Sequence, residues 1–463
     1  MPASAHPLGL TRLALLATLL GTSACGTMRA TMDAYATGPH GIARPQQQLR
    51  DALADSDFPR ALAWREDDDL LRELAVGVSS YYALQFARSA AVLDSAALLA
   101  DDRITTSVSG NALALLTNDM ARPYQPRRTE RLFIPYYGMM SYARTEQWED
   151  AAVEARRLGA LLAAYAGDRT DAERQLHATL HYLTGVVFER AGERDEAQVA
   201  YRLAQSLVRD TDALARRTPT ASGDVVVVVE RGFVAHRATE TINLFLGEDD
   251  RDQLHAGEEE STSRLAARVA DRIDHPSPSD RSRIAAADVR HGHHGPDADA
   301  GYWVSVAFPS VRRGRPLVAV PDVLVDGGVQ SAVRLTSRLD DATESDAARE
   351  RKALVIRAVT RAAAKYAVAK AVKDKHGEVA GSIANIGASL LERADIRSWH
   401  LLPQEITILR IHAVPGSHEL QLDPGSGAPA VSLGTINVRA GSTVITTVRL
   451  WREPVTPTLA SHQ

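Results

Sequence analysis

The rhythm of apolar and polar positions changes three times along the chain. Between about residues 47 and 215, Pro is rare, helix formers dominate and apolar residues return at helical spacing, so this stretch is expected to be all helix. The rhythm breaks at Asp224-Val-Val-Val-Val-Val-Glu230, a β-branched run of the kind found in strands buried on both faces. Residues 302–308, 317–320 and 323–325 continue the strand pattern. A long helix is expected over about 341–374, where Val355, Val359, Ala362, Tyr366 and Ala369 form one apolar stripe, and a second, Gly/Ala-rich helix over 379–394. The tail alternates at 406–414, 417–423, 435–439 and 443–450. Its Pro-Gly and Ala-Gly turns predict a small antiparallel sandwich. The predicted class is α+β multidomain: a helical array, then an α+β region with a small antiparallel β module.

Within the helical stretch one repeat stands out. Gly185, Phe188, Gly192, Ala197, Tyr201 and Ala204 have the spacings of a tetratricopeptide (TPR) helix pair, in which small residues let two antiparallel helices approach and aromatics fill the joints. Gly185 is expected to face Ala197, and Tyr201 to fill the joint with a neighbouring pair. A second copy reads Tyr142, Trp148, Ala151, Ala155 and Leu158, without the first glycine; a third reads Gly77, Phe86, Ser89, Leu93 and Ala96. The equivalent positions 89, 151 and 197 are 62 and 46 apart, not multiples of the usual period of about 34. A TPR-like but irregular array is expected over 47–215, with an ordinary helical bundle as the alternative.

The N-terminus carries an address. Arg12 is the only charged side chain in the first 24 residues, and an apolar stretch, 13–20, follows it. A cationic start, a short apolar run and small residues at the cut mark a secretory signal. Thr22-Ser23-Ala24-Cys25 resembles a bacterial lipobox, and Cys25 is the only cysteine in the chain. The resemblance implies a diacylglycerol thioether on Cys25 and an N-acyl chain, together enough for stable anchoring. Gly26 in place of Asp implies outer-membrane delivery rather than inner-membrane retention. Removing Arg12 takes the formal charge from −5 to −6. The expected organisation is a signal peptide at 1–24, an acylated tether at 25–46, helices at 47–215, and an α+β domain at 224–455 with a mobile insertion at 247–300.

Between the weakest repeat copy and the next lies a turn containing Asn118, Arg122, Pro123 and Tyr124, where Pro123 ends the preceding helix. A helix with Glu130, Tyr136 and Tyr137 follows, interrupted by Pro135, and far downstream Asp395, Arg397 and Trp399 precede Leu402-Pro403 and Glu405-Ile406. Together these segments resemble a family of poorly characterised bacterial lipoproteins that pair a TPR-like helical half with a C-terminal α+β region. That resemblance implies an envelope role and points toward the machinery of peptidoglycan synthesis. In isolation, the Asp395–Trp399 segment reads either as a structural joint at a helix-to-strand transition or as a partner-contact hot spot.

Composition narrows the chemistry. The chain is 45% hydrophobic and 24% charged, with a net charge of −5, which suits a globular protein and gives no drive toward nucleic acid. One cysteine excludes an intramolecular disulfide, a Cys-rich zinc site and a CxxC pair. His291, His293 and His294 are the most metal-like cluster, but they lie in a Gly/Asp-rich loop with no fixed frame, so no metal and no cofactor is expected. No GxSxG, HExxH or P-loop signature is present. The basic stretch 349–375 holds nine Lys/Arg against two Asp/Glu and reads as the solvated face of a domain helix, with an anionic-polymer contact as the alternative. The expected function is a non-enzymatic, outer-membrane-anchored periplasmic scaffold that binds an envelope protein. Alternatives are a regulator or binder of peptidoglycan-synthesis machinery and an enzyme or ligand-binding protein with a site between the two halves.

Overall fold

The computed structural model describes residues 42–107, 122–208, 222–246, 264, 268, 302–314, 316–317, 322–329, 331–376, 394–423, 425 and 429–452. Over these residues the fold is mixed α+β. Helices α1 (Arg44–Ala54), α2 (Phe58–Leu62), α3 (Asp69–Tyr82), α4 (Phe86–Ser107), α5 (Arg128–Arg144), α6 (Trp148–Ala164), α7 (Asp171–Ala191) and α8 (Arg194–Leu207) come first. Strands β1 (Gly223–Arg231), β2 (His236–Leu246), β3 (Tyr302–Arg312), β4 (Asp322–Val325), β5 (Gly328–Val329) and β6 (Ser331–Arg338) lead into a long helix, α9 (Leu339–His376). Strands β7 (Glu405–Ala413), β8 (Gly416–Asp423), β9 (Val431–Val438) and β10 (Thr443–Leu450) follow. Ile42 and Ala43 are buried and α1 starts at Arg44, so the fold takes in residues assigned from sequence to the tether. The signal peptide, Cys25, Asn118, the 379–394 helix apart from Ala394, and the three histidines of the 247–300 insertion lie outside the described residues.

Three antiparallel hairpins, α3–α4, α5–α6 and α7–α8, follow one another, and each helix from α3 to α7 packs on the next. Each tight turn holds a residue in the left-handed conformation: Leu84 at φ 60°, Glu146 at φ 56° and Gly192 at φ 82°. Only the last is glycine, the residue that adopts this conformation without steric cost. In each hairpin a glycine of the first helix faces a side chain 16 positions later in the second: Gly77 against Leu93, Gly138 against Glu154, Gly185 against Tyr201. The second repeat copy therefore does contain its glycine. Gly138 stands eight residues before the left-handed position of its turn instead of seven, which hides it from a fixed spacing. The expectation that Gly185 faces Ala197 is corrected. A Cβ on Gly185 would meet the Tyr201 ring at 2.7 Å, and Tyr201 packs within its own pair, 5.2 Å from the Tyr182 ring, instead of filling the joint to a neighbour.

Layering decides which helices are buried. The first helices of the hairpins are inner: α7 buries every residue from Leu176 to Phe188, whereas α8 buries only Ala197, Ala200 and Ala204. Beneath the inner helices lies a four-stranded sheet of order β10-β1-β7-β6, with β1 parallel to β10 and antiparallel to β7. β1 is buried along its whole length. Val226 and Val228 face the helices, while Val225, Val227 and Val229 face a second sheet, β5-β4-β8-β9, as the continuous β-branched run predicted. β2 and β3 form a separate ladder. The four tail strands are divided between the two sheets, so the sandwich is wider than the tail and incorporates β1, β4, β5 and β6. One apolar cluster runs from Leu49 in α1 through the helices and the sheet to Trp451; the helical half and the sheet thus share a core.

Candidate functional site

The two segments singled out in the sequence meet in space. Arg397 donates from Nη2 to the carbonyl of Arg122 at 2.6 Å and pairs with Asp395 at 2.8 Å. Its other guanidinium nitrogen lies 3.5 Å from Asp68. Asp68 caps α3 by accepting from the N–H groups of Leu70 and Leu71, and it also accepts from the N–H of Tyr124 at 3.0 Å and from Arg103 at 2.7 Å. Burial raises the cost of its charge, yet the Tyr124 N–H and Arg103 hold its carboxyl below the ordinary value. Glu130 accepts from the backbone N–H of Arg127 at 2.8 Å at the start of α5 and from that of Trp399 at 2.7 Å. Trp399 and Tyr124 are buried; Pro123 is exposed. This is a joint that ties the strand-leading segment to the helical half. A cavity within it, between Arg127, Glu130, Arg237 and Asp346, measures about 10 Å³, room for roughly one water.

A second polar cluster was not foreseen from the sequence. Glu230 is fully buried at the end of β1, where it accepts from Tyr82 Oη at 2.6 Å and Tyr136 Oη at 2.8 Å. Tyr137 shares a hydrogen bond with Tyr82 at 2.9 Å, and Tyr81 donates to Thr447 at 3.1 Å. Burial pushes the Glu230 carboxyl up, against the Arg449 charge and the tyrosine hydroxyls. The doublets Tyr81-Tyr82 and Tyr136-Tyr137 were the available signal, but only the sheet shows what they surround. The cavity beside Tyr82 and Arg449 is again about 10 Å³, too small for a substrate. A third knot joins β7 to the last hairpin: Arg410 pairs with Asp224, contacts Glu189 at 3.0 Å and donates to Tyr201 Oη at 3.1 Å.

Space for a ligand lies on the outer side of the helices. A trough of about 530 Å³ runs between α6 and α8, with α7 as its floor. Its walls are mostly apolar: Leu162, Ala163, Phe188, Val199, Ala200 and Leu203. Val199 and Leu203, four residues apart on α8, remain 48% and 44% exposed, so an apolar stripe faces solvent. Of the sequence motif, Phe188 lines the trough, Ala197 and Ala204 are buried in α8, and Gly192 closes the α7–α8 turn.

No family model matches this chain, and no curated protein matches it.

The trough carries few polar groups, and their pairing is informative. His181 is buried to 6% exposure and lines the trough. Burial and the Arg169 charge push it down to about 4, so the ring is neutral at pH 7. His177 is likewise pushed to about 4 by burial and by Arg169, and it shares a 3.3 Å contact with Arg169 Nη1. At the other end Arg156 is paired with Glu193 at 3.1 Å, while Asp195 and Glu196 remain at the rim. Among the described residues, no group of three or more His, Cys, Asp or Glu side chains could hold a metal ion, and no helix is long and apolar enough to cross a membrane.

Proposed function

We propose that this protein is a lipid-anchored scaffold of the bacterial envelope, tethered through Cys25 and docking a protein partner in the α6–α7–α8 trough. One observation carries the reading. The inner side of the hairpin array, where repeat proteins of this kind receive peptides, is covered by the chain's own sheet, and an apolar trough is left open on the outer side among the described residues. The recurring glycine contacts and left-handed turns support a TPR-like origin for the three hairpins. The joint and the tyrosine cluster support a rigid body: the carboxylates Asp68, Glu130 and Glu230 accept hydrogen bonds from within the fold, and the cavities beside them admit no substrate. The lipobox resemblance supports outer-membrane anchoring, and the resemblance of the Arg122–Tyr124 and Asp395–Trp399 segments directs the partner search to peptidoglycan-synthesis machinery.

The test is photocrosslinking in intact cells. A benzoylphenylalanine at position 199 or 203 should give a discrete protein adduct, and one at exposed Leu98 on α4 should not. Adducts from all three positions, or from none, would remove the trough from the proposal.

A further inference from the structure

The trough's uncompensated groups describe what it receives, and this deepens the scaffold reading on which it rests. Arg169 contacts His177 but pairs with no carboxylate among the described residues, although Arg156 at the other end of the trough, and Arg128 and Arg174 nearby, all do. His181 is more than nine-tenths buried and lines the trough; its carbonyl accepts from Thr184 Oγ1 at 2.8 Å, and its ring makes no hydrogen bond among the described residues. Both lie toward the end of the trough where α7 begins and α8 ends. At the opposite end, Asp195 and Glu196 pair with no cation among the described residues. The trough is therefore apolar along its length, positive at one end and negative at the other.

Its dimensions and chemistry fit a helix. α8 has 14 residues and is about 21 Å long at about 1.5 Å per residue. Along that length Val199 and Leu203 offer an i, i+4 apolar stripe, while Ala155, Gly159 and Ala163 of α6 are small enough to let a third helix approach. Outer helices that end an array normally present a polar face; α8 presents Gln198 and Arg202 but also leaves Val199 and Leu203 open to solvent. We infer that the trough binds one amphipathic helix of about four turns from a protein partner, antiparallel to α8, with acidic residues in its first turn over Arg169 and basic residues in its last turn over Asp195 and Glu196. That charge order also suits the helix's own macrodipole, and the antiparallel direction sets its dipole favourably against those of α6 and α8. Burial of the apolar stripe supplies the affinity, and the end charges supply direction.

The experiment uses a displayed library of 14-residue peptides with leucine fixed at helical i, i+4, i+7 and i+11 and the remaining positions drawn from Ala, Gln, Glu and Lys. It is sorted against the mature protein in detergent. Enriched peptides should carry Glu in the first turn and Lys in the last. Arg169→Glu should weaken a selected peptide at least tenfold and turn the first-turn preference to Lys. Val199→Asp with Leu203→Asp should abolish enrichment. No enrichment over that double variant, or a charge preference indifferent to Arg169→Glu, overturns the inference. So does saturable, Arg169-dependent binding of dodecanoate without peptide enrichment, which would make the trough an acyl-chain site. Crosslinks at Val199 in cells without library enrichment would sink the helix assignment and leave the scaffold reading standing; enrichment without cellular crosslinks would do the reverse.

Discussion

Gly185 offers the sharpest test of the packing. Replacing a glycine within a helix by alanine ordinarily stabilises by about 1 kcal/mol, because alanine restricts the unfolded chain. At Gly185 the added methyl would lie 2.7 Å from two carbons of the Tyr201 ring. That ring has little room to retreat: its hydroxyl donates to Glu189 at 2.6 Å and accepts from Arg410 at 3.1 Å, and its face packs on Tyr182. Overpacking of this kind costs roughly 1–3 kcal/mol; set against that gain, Gly185→Ala should range from neutral to a net loss of about 2 kcal/mol. Gly159→Ala is the control, since nothing lies within 4 Å of its added Cβ, and it should be stabilising by up to about 1 kcal/mol. Tyr201→Ala alone should cost about 3 kcal/mol, and in that background Gly185→Ala should turn from loss to gain. The coupling between the two positions should be about 1–3 kcal/mol. Urea unfolding of the Cys25→Ser chain, followed by circular dichroism, measures all four differences. The reasoning is refuted if Gly185→Ala stabilises as Gly159→Ala does, or if its penalty survives the removal of the Tyr201 ring.

Trp399→Ala should cost about 3–5 kcal/mol in the same assay, since the indole is 2% exposed against Tyr137; a change below 1 kcal/mol would mean the joint does not hold the two layers together. Glu154, buried against Gly138, is pushed up to about 7 by desolvation, with Arg157 opposing. Its neutral form is favoured on folding, so its contribution to stability is full below about pH 4.5 and is lost as pH rises toward 7. Glu154→Gln should flatten that part of the pH–stability curve measured by thermal unfolding, and an unchanged slope would exclude Glu154 as its source. Cys25→Ser should abolish acylation, read by metabolic labelling with an alkyne fatty acid, and release the protein from membranes; a labelled, membrane-bound variant would place the anchor elsewhere.

Most of the elements were legible in the sequence because they follow from local rules. The β1 valine run could only be a doubly buried strand, and the helix expected over 341–374 is α9. β2 and β6 escaped notice. In β2, Thr and Glu interrupt the apolar positions, and β6 is a short Ser/Arg/Thr-rich strand whose place is fixed by pairing with β7. Pro135 did not interrupt α5, which runs from Arg128 to Arg144. Gly185 and Tyr201 were identified as packing residues, but their mutual contact was not, because spacing along one chain names a helix face without naming what stands across from it.

Periodicity, β-branching and turn chemistry act over a few residues, and so the amino-acid order alone determined the helical first half, the buried central strand and the small-residue positions that let helices approach. What the helices enclose depended on contacts across hundreds of positions. Arg397 reaching the Arg122 carbonyl, Tyr82 and Tyr136 converging on Glu230, and Arg410 joining Asp224 to Tyr201 all depend on how the layers stack. Buried polar groups demand partners, and no local pattern says which distant segment supplies them. The same stacking covers the inner helices with the sheet and leaves the outer trough open, so the position of the proposed binding surface belongs to the tertiary structure alone.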